Sequence, residues 1–131
     1  MPSEKEETLR VLLVRPQEEA CIVEMPNTLE AMQKMVGGYI EEIMPFPDEV
    51  ALICNEEGKC SGLSLNRAIY YQDREEIMDI IAGDFFVVFA PYDAEDFQTL
   101  PDNLMSKYYN LFRYPEMFFR DGDEIKAVKI K

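Results

Sequence analysis

The chain contains no histidine, and that absence removes a good deal of chemistry. Serine–histidine and cysteine–histidine nucleophilic mechanisms are excluded, and zinc sites lose their commonest ligand. Only three cysteines are present, Cys21, Cys54 and Cys60. They form no C-x-x-C pair, and any single disulfide leaves one over. No apolar run approaches the roughly 18–20 residues of a membrane-spanning helix. The opening residues, MPSEKEETLR, are polar and acidic, unlike a secretory signal. These absences point to a cytoplasmic protein with no cofactor, metal or membrane contact, held together by its core.

Basic residues are scarce in a patterned way. The net charge is −13, from 26 acids and 13 bases. Residues 17–102 hold 19 acids against only Lys34, Lys59, Arg67 and Arg74, whereas residues 103–131 carry a net +2. Phosphate contacts need clustered Lys and Arg, so direct nucleic-acid binding is disfavoured except through the C-terminal part.

What is present is enough for a core. The 131 residues are 47% hydrophobic and 11% aromatic, which suits one domain that needs no disulfide or metal staple. The patterning predicts a single α+β domain over residues 9–119, with a mixed, mostly antiparallel sheet and two main helices packed on it. Residues 1–8 read as a disordered arm and 120–131 as a C-terminal tail or added strand.

Leu9–Arg15 and Ala20–Met25 read as strands around a polar turn after Pro16. Asn27 is the expected N-cap of a short helix, with Glu30 completing a capping-box-like pair. Leu29, Met32, Met35 and Val36 form its apolar face, and Gly37 is its left-handed C′ residue. Tyr39–Met44 and Val50–Cys54 follow as strands. Asn55–Lys59 then fits a hairpin loop with Gly58 in the left-handed bulge position, which would set Cys54 opposite Cys60. Residues 70–76 read as a polar excursion, Ile77–Ile81 as a short strand and Phe85–Ala90 as the central strand. Asp93 is expected to cap a turn of helix containing Phe97. A last helix opens at Leu100-Pro101-Asp102, with Leu104, Met105, Tyr108, Leu111 and Phe112 as its buried stripe.

Four features bear on function. Cys54 and Cys60 are either a redox pair or two reduced core thiols, and the reducing cytoplasm favours the thiols. Acidic pairs such as Glu41-Glu42, Glu56-Glu57 and Glu75-Glu76 are solvated turn residues, an acidic partner face that imitates DNA phosphates, or a general acid–base pair; in the second case they would converge on an elongated surface. The aromatic run 108–119 divides between core and interface, with stacking on single-stranded bases as a minor reading, and Tyr109, Arg113, Tyr114 and Phe118 are its candidate partner surface. Asn66-Arg67 is either a structural contact fixing a loop or a small anion site.

The segments NTLEAMQKMVGGYIEEI, VALICNEEGKCSGLSLNRAI and DIIAGDFFVVFA, in that order, resemble the small-protein family known as domain of unknown function 3846. The family pattern places proline and leucine before Asn-Arg-Ala, where this chain has Ser64-Leu65. The resemblance implies the setting of a mobile genetic element and carries over no catalytic residues. The expected function is that of an accessory protein acting by protein binding, with anti-restriction or regulation through an acidic surface as its specific form. The alternative is a small-ligand or nucleotide-binding domain centred on Asn66 and Arg67, and a homodimer built on the aromatic run is a third option.

Overall fold

A computed structural model describes residues 6–72 and 74–131; most of the arm expected at residues 1–8 lies outside them. The domain is mixed α+β, with a mostly antiparallel sheet and two helices packed on it, as its patterning predicts. Five strands form the main sheet: β1 (Thr8–Val14), β2 (Cys21–Pro26), β3 (Ile40–Ile43), β4 (Val50–Asn55) and β7 (Phe85–Phe89), in the order β2-β1-β7-β4-β3. Every neighbouring pair is antiparallel. The strand expected at the centre, Phe85–Ala90, is the middle one.

The near-continuous apolar character of β1, β4 and β7 follows from cover on both faces. Side chains alternate, so Leu9, Val11, Ala51, Ile53, Phe86 and Val88 share one face with Met32 and Val36 of helix α1 (Leu29–Val36). Leu12, Val14, Val50, Leu52, Phe85 and Val87 share the other with Met105, Tyr108 and Phe112 of helix α2 (Asp102–Phe112). Each fully buried Leu, Val or Phe stabilises by about 1.5–3 kcal/mol relative to leaving it in water, before entropy is charged against it. Phe46, Phe85, Tyr108 and Phe112 form tilted and edge-on aromatic pairs at centroid distances of 5.0–6.1 Å.

The cap of α1 sits one residue later than expected. Thr28 accepts from the Ala31 amide at 3.1 Å, whereas Asn27 is buried and donates to the Glu6 carbonyl at 2.9 Å. Asn27 thus holds the N-terminal segment against the helix. Gly37 ends the helix at φ 79°, and its amide and that of Gly38 both reach the Gln33 carbonyl.

The expected hairpin between Val50 and Cys60 does not form. Both sides of β4 are taken, by β3 and β7, and Cys54 stands opposite Glu41 rather than Cys60. Asn55 Oδ1 instead accepts from the Glu57 amide at 2.8 Å, and Ser61 N reaches Glu57 O at 2.7 Å. The chain winds up out of the sheet. Gly58 has no positive φ; a Cβ there would come within 2.6 Å of the Ala82 carbonyl oxygen. The position calls for close approach, not a left-handed bulge.

The chain then builds a second, two-stranded sheet from β5 (Leu65–Tyr70) and β6 (Ile77–Ala82). Ile69 and Ile81 of this sheet close the core on the α2 side. Residues 91–97 form turns rather than the expected helical turn, because Gln98 is drawn into a two-way backbone bridge with Phe89. A final hairpin, β8 (Glu116–Asp121) and β9 (Glu124–Lys129), turns at Asp121–Glu124. The boundary expected at 119/120 falls inside β8. Among the described residues no helix is long and apolar enough to cross a membrane.

Candidate functional site: a buried arginine hub and an acid-rimmed groove

Strand β5 is bulged where the sequence singles out Asn66-Arg67. The register against β6 shifts between Leu65 and Arg67, leaving Asn66 as the extra residue. Neighbouring side chains in a regular strand leave by opposite faces; a bulge re-aims them. Both Asn66 and Arg67 end up with 0% exposure.

Arg67 spends its five N–H donors on the protein itself. Nε and Nη2 reach the Phe112 carbonyl at 3.1 and 3.0 Å, and Nη2 also reaches the Glu18 carbonyl at 2.7 Å. Nη1 donates to Asn66 Oδ1 at 2.9 Å, with longer contacts to the carbonyls of Asn66 and Arg15. Asn66 Nδ2 donates to Val14 O at 2.9 Å and Gly83 O at 2.8 Å. Two adjacent side chains therefore fasten β1, the β1–β2 turn, the Gly83 turn and the end of α2 to the second sheet. Phe112 is the last residue of α2, which has no basic residue in its last turn. Arg67 supplies the positive charge favoured at that negative helix end.

Burial lowers the Arg67 pKa from its ordinary value, against the pull of the nearby Glu116 carboxylate. The guanidinium nonetheless stays charged. Glu116 is itself buried and accepts from the Ala68 amide at 3.0 Å. Burial pushes its carboxyl up from the ordinary value, while the Ala68 amide, Arg67 and Lys129 pull it down. With each N–H engaged by carbonyl or amide oxygen, this cation has no free donor for an anion. Its chemistry is structural.

The aromatic run is divided. Tyr108 and Phe112 are core. Tyr109, Arg113 and Tyr114 do come together: the Arg113 guanidinium lies 4.9 Å from the Tyr114 ring and 5.9 Å from the Tyr109 ring, and its Nε pairs with Glu19 at 3.1 Å. Phe118 stands apart, half-buried on β8. Tyr108 OH instead donates to Asp48 Oδ2 at 2.7 Å, beside Lys107 Nζ at 2.6 Å. These two bonds hold the Asp48 carboxyl below the ordinary carboxylate range.

Acids lie at both ends of the main sheet. Asp48, Glu49, Asp93, Glu95 and Asp96 lie in loops at one end of the main sheet, while Glu18, Glu19, Glu56, Glu57 and Asp84 lie at the other. One group of acids does coincide with exposed apolar surface. A groove of about 430 Å³ runs between α1, the β3 edge and the loop after β7. Leu29, Met32, Ile40, Met44, Tyr92 and Phe97 line it, and Glu42, Glu95 and Asp96 stand at its rim. Tyr92 is 71% and Leu29 57% exposed. The groove is not legible in the sequence because Leu29 fits the apolar stripe of α1, yet its side chain in the first turn is left uncovered.

The cysteines are unpaired. Cys54 is buried, with its thiol pushed up to about 11 by burial and by Glu41 and Asp79, while Cys21 and Cys60 are exposed. The expectation of two core thiols holds for Cys54 and fails for Cys60, because the wound loop carries Cys60 outward. Among the described residues no group of three or more thiol or carboxylate side chains is placed to hold a metal ion.

Fold and hub together define a small α+β domain in which one buried arginine ties a second sheet and a helix end to the main sheet. The chain belongs to the family described as Domain of unknown function (DUF3846), which matches residues 9–113. No curated protein and no solved structure matches it.

Proposed function

We propose that this domain acts by binding another protein, and that the groove beside α1 is where it does so. The supporting observation is the coincidence of exposed Leu29 and Tyr92 with the Glu42, Glu95 and Asp96 rim. A partner segment that is both apolar and basic fits such a surface, since aromatics supply contact area and the rim carboxylates supply steering and register. The family resemblance supports a mobile-element setting and a cytoplasmic accessory role. Anti-restriction or regulation of transfer is its specific form, exercised through this local groove rather than through one continuous acidic face. The alternative of an anion or nucleotide site at Asn66 and Arg67 loses its main support, because every donor of Arg67 is already engaged.

The immobilised chain is expected to retain a basic protein from extracts of its native host. A Leu29→Lys, Tyr92→Ala variant loses that protein, and restriction or transfer changes with the wild type but not with the variant. Equal retention by both chains contradicts the reading.

A further inference from the structure

We propose that the partner joins the main sheet as an added antiparallel strand along the free edge of β3, through an extended segment that reads apolar-basic-basic-apolar opposite Ile43, Glu42, Glu41 and Ile40. This rests on the groove beside α1 being where a protein binds, and it gives that protein's binding segment a chemistry. Strand β3 ends the sheet and pairs only with β4. Antiparallel strands exchange hydrogen bonds at alternate residues. The Glu56 amide donates to the Tyr39 carbonyl at 2.9 Å across this pair, so the next bonded residues of β3 are Glu41 and Ile43, opposite Cys54 and Leu52. On the other side of β4 the Ala90 amide donates to the Glu49 carbonyl at 2.8 Å. That parity turns Ala51 and Ile53 toward β7 and leaves Leu52 and Cys54 for β3. The N–H and C=O groups of Ile40 and Glu42 therefore point out of the sheet, and among the described residues nothing bonds them.

The same strand stands between two hollows. Ile40, Glu42 and Met44 line the groove beside α1. Glu41 and Ile43, on the opposite face, line a smaller hollow of about 280 Å³ with Cys54, Glu56 and Lys59. Side chains of an added strand alternate between these two faces, so each hollow receives every second one. Open main-chain groups supply affinity in such an addition, and pockets for alternate side chains supply specificity. The β3 edge has both.

Charge sets the chemistry of the occupant. A second copy is disfavoured, because pairing Ile40–Ile43 with itself sets glutamate opposite glutamate, whether the copies run antiparallel or parallel in register. Nucleic acid is repelled for the same reason. Glu41, Glu42, Glu56, Glu95 and Asp96 surround the edge, and among the described residues none of them has an ion-pair partner. Lys59, the single base lining either hollow, is already paired with Asp79 at 2.6 Å. Lysine or arginine opposite Glu41 and Glu42 makes favourable cross-strand pairs, and apolar residues opposite Ile40 and Ile43 extend two half-buried positions. A short strand with two acids, followed by Pro45, resists pairing with other exposed edges but accepts one of opposite charge.

A short peptide centred on Val-Lys-Lys-Val, titrated into the isotope-labelled full chain, tests this. Hydrogen exchange at the Ile40 and Glu42 amides should slow about tenfold or more at saturation, because both become bonded. In the antiparallel frame the first lysine faces Glu42 and the second valine faces Ile40. N-methylation at those two residues should weaken binding about tenfold or more, whereas N-methylation at the other two, whose N–H groups point outward, should change it by less than about twofold. Glu41→Lys with Glu42→Lys should also weaken it about tenfold or more. Circular dichroism checks that fold, and Glu41→Gln with Glu42→Gln serves if charge reversal disturbs it. No binding up to about 1 mM peptide overturns the strand addition, as does equal loss from both methylation patterns. Shifts at Leu29 and Tyr92 with exchange at Ile40 and Glu42 unchanged overturn it too, while leaving the groove reading intact. Failure to capture a basic host protein, by contrast, counts against the groove itself.

Discussion

Asn66 Oδ1 accepts a 2.9 Å hydrogen bond from Nη1 of Arg67, its neighbour in the chain. Adjacent strand residues meet in this way because the bulge in β5 turns both side chains inward. The amide thereby completes the ring of oxygens around a fully buried guanidinium, and the pair holds four separate segments in register.

Removing the hub should be costly. Arg67→Met keeps the volume but leaves the Phe112 and Glu18 carbonyls without their donor, and should destabilise by about 3–5 kcal/mol. Arg67→Lys should cost about 2 kcal/mol, because a compact ammonium cannot reach so many carbonyls. Urea denaturation midpoints measure both. Phosphate or nucleotide added to the wild type should leave its melting temperature unchanged, since a ligand bound to the native state would raise it.

Asn66→Ala should destabilise by about 2–3 kcal/mol, as two buried carbonyls, Val14 O and Gly83 O, lose their donor together. The same denaturation series reads it. Because Asn66 and Arg67 touch, the double variant should cost less than the two single variants summed.

Much of this architecture is legible in the residues themselves. Phe85–Phe89 reads as a central strand because both its faces are apolar, and Gly37 reads as a helix stop because a left-handed residue is needed there. The bulge at Asn66 is not legible, since it depends on how Leu65 and Arg67 of β5 meet Ala82 and Ile81 of β6 at the far side of the hairpin. The hairpin at Asn55–Lys59 misleads for a related reason. The local turn chemistry is real, but tertiary pairing had already filled both edges of β4, and Gly58 serves a close approach that no local pattern reveals. The groove escapes because the exposure of Leu29 depends on what packs beside the first turn of α1, not on helical spacing.

Two carboxylates should tilt the pH dependence in opposite directions. Asp48 is held below its ordinary value of 3.8 by Lys107 and Tyr108, so it stabilises above that pH and the contribution is lost as pH falls through its folded-state pKa. Asp48→Asn should cost about 1–2 kcal/mol at neutral pH and flatten the acid limb. Glu116 is raised above 4.5 by burial, so the folded state holds its proton more tightly and stability is lost as pH rises from there through the folded-state pKa. Glu116→Gln, which retains an oxygen for the Ala68 amide, should remove that loss. Thermal melts from about pH 3 to pH 7 separate the two.

Thiol labelling should divide the cysteines. Cys21 and Cys60 are exposed and should react in the native protein, whereas Cys54 is buried and its thiol sits at about 11. Two thiols should therefore label in buffer and the third only on unfolding. Rapid native labelling of all three would place Cys54 outside the core.

The most direct measurement of the central claim is a backbone amide resonance map of the chain, recorded while the basic protein captured from host extract is titrated in. The expected shifts fall on α1 from Leu29, on the β3 edge at Glu42 and on residues 91–97, with Glu95→Lys and Asp96→Lys weakening the interaction about tenfold. Shifts centred instead on Asn66, Arg67 and the strands they fasten would contradict the account, because they would make the buried hub, not the groove, the place where this domain meets its partner.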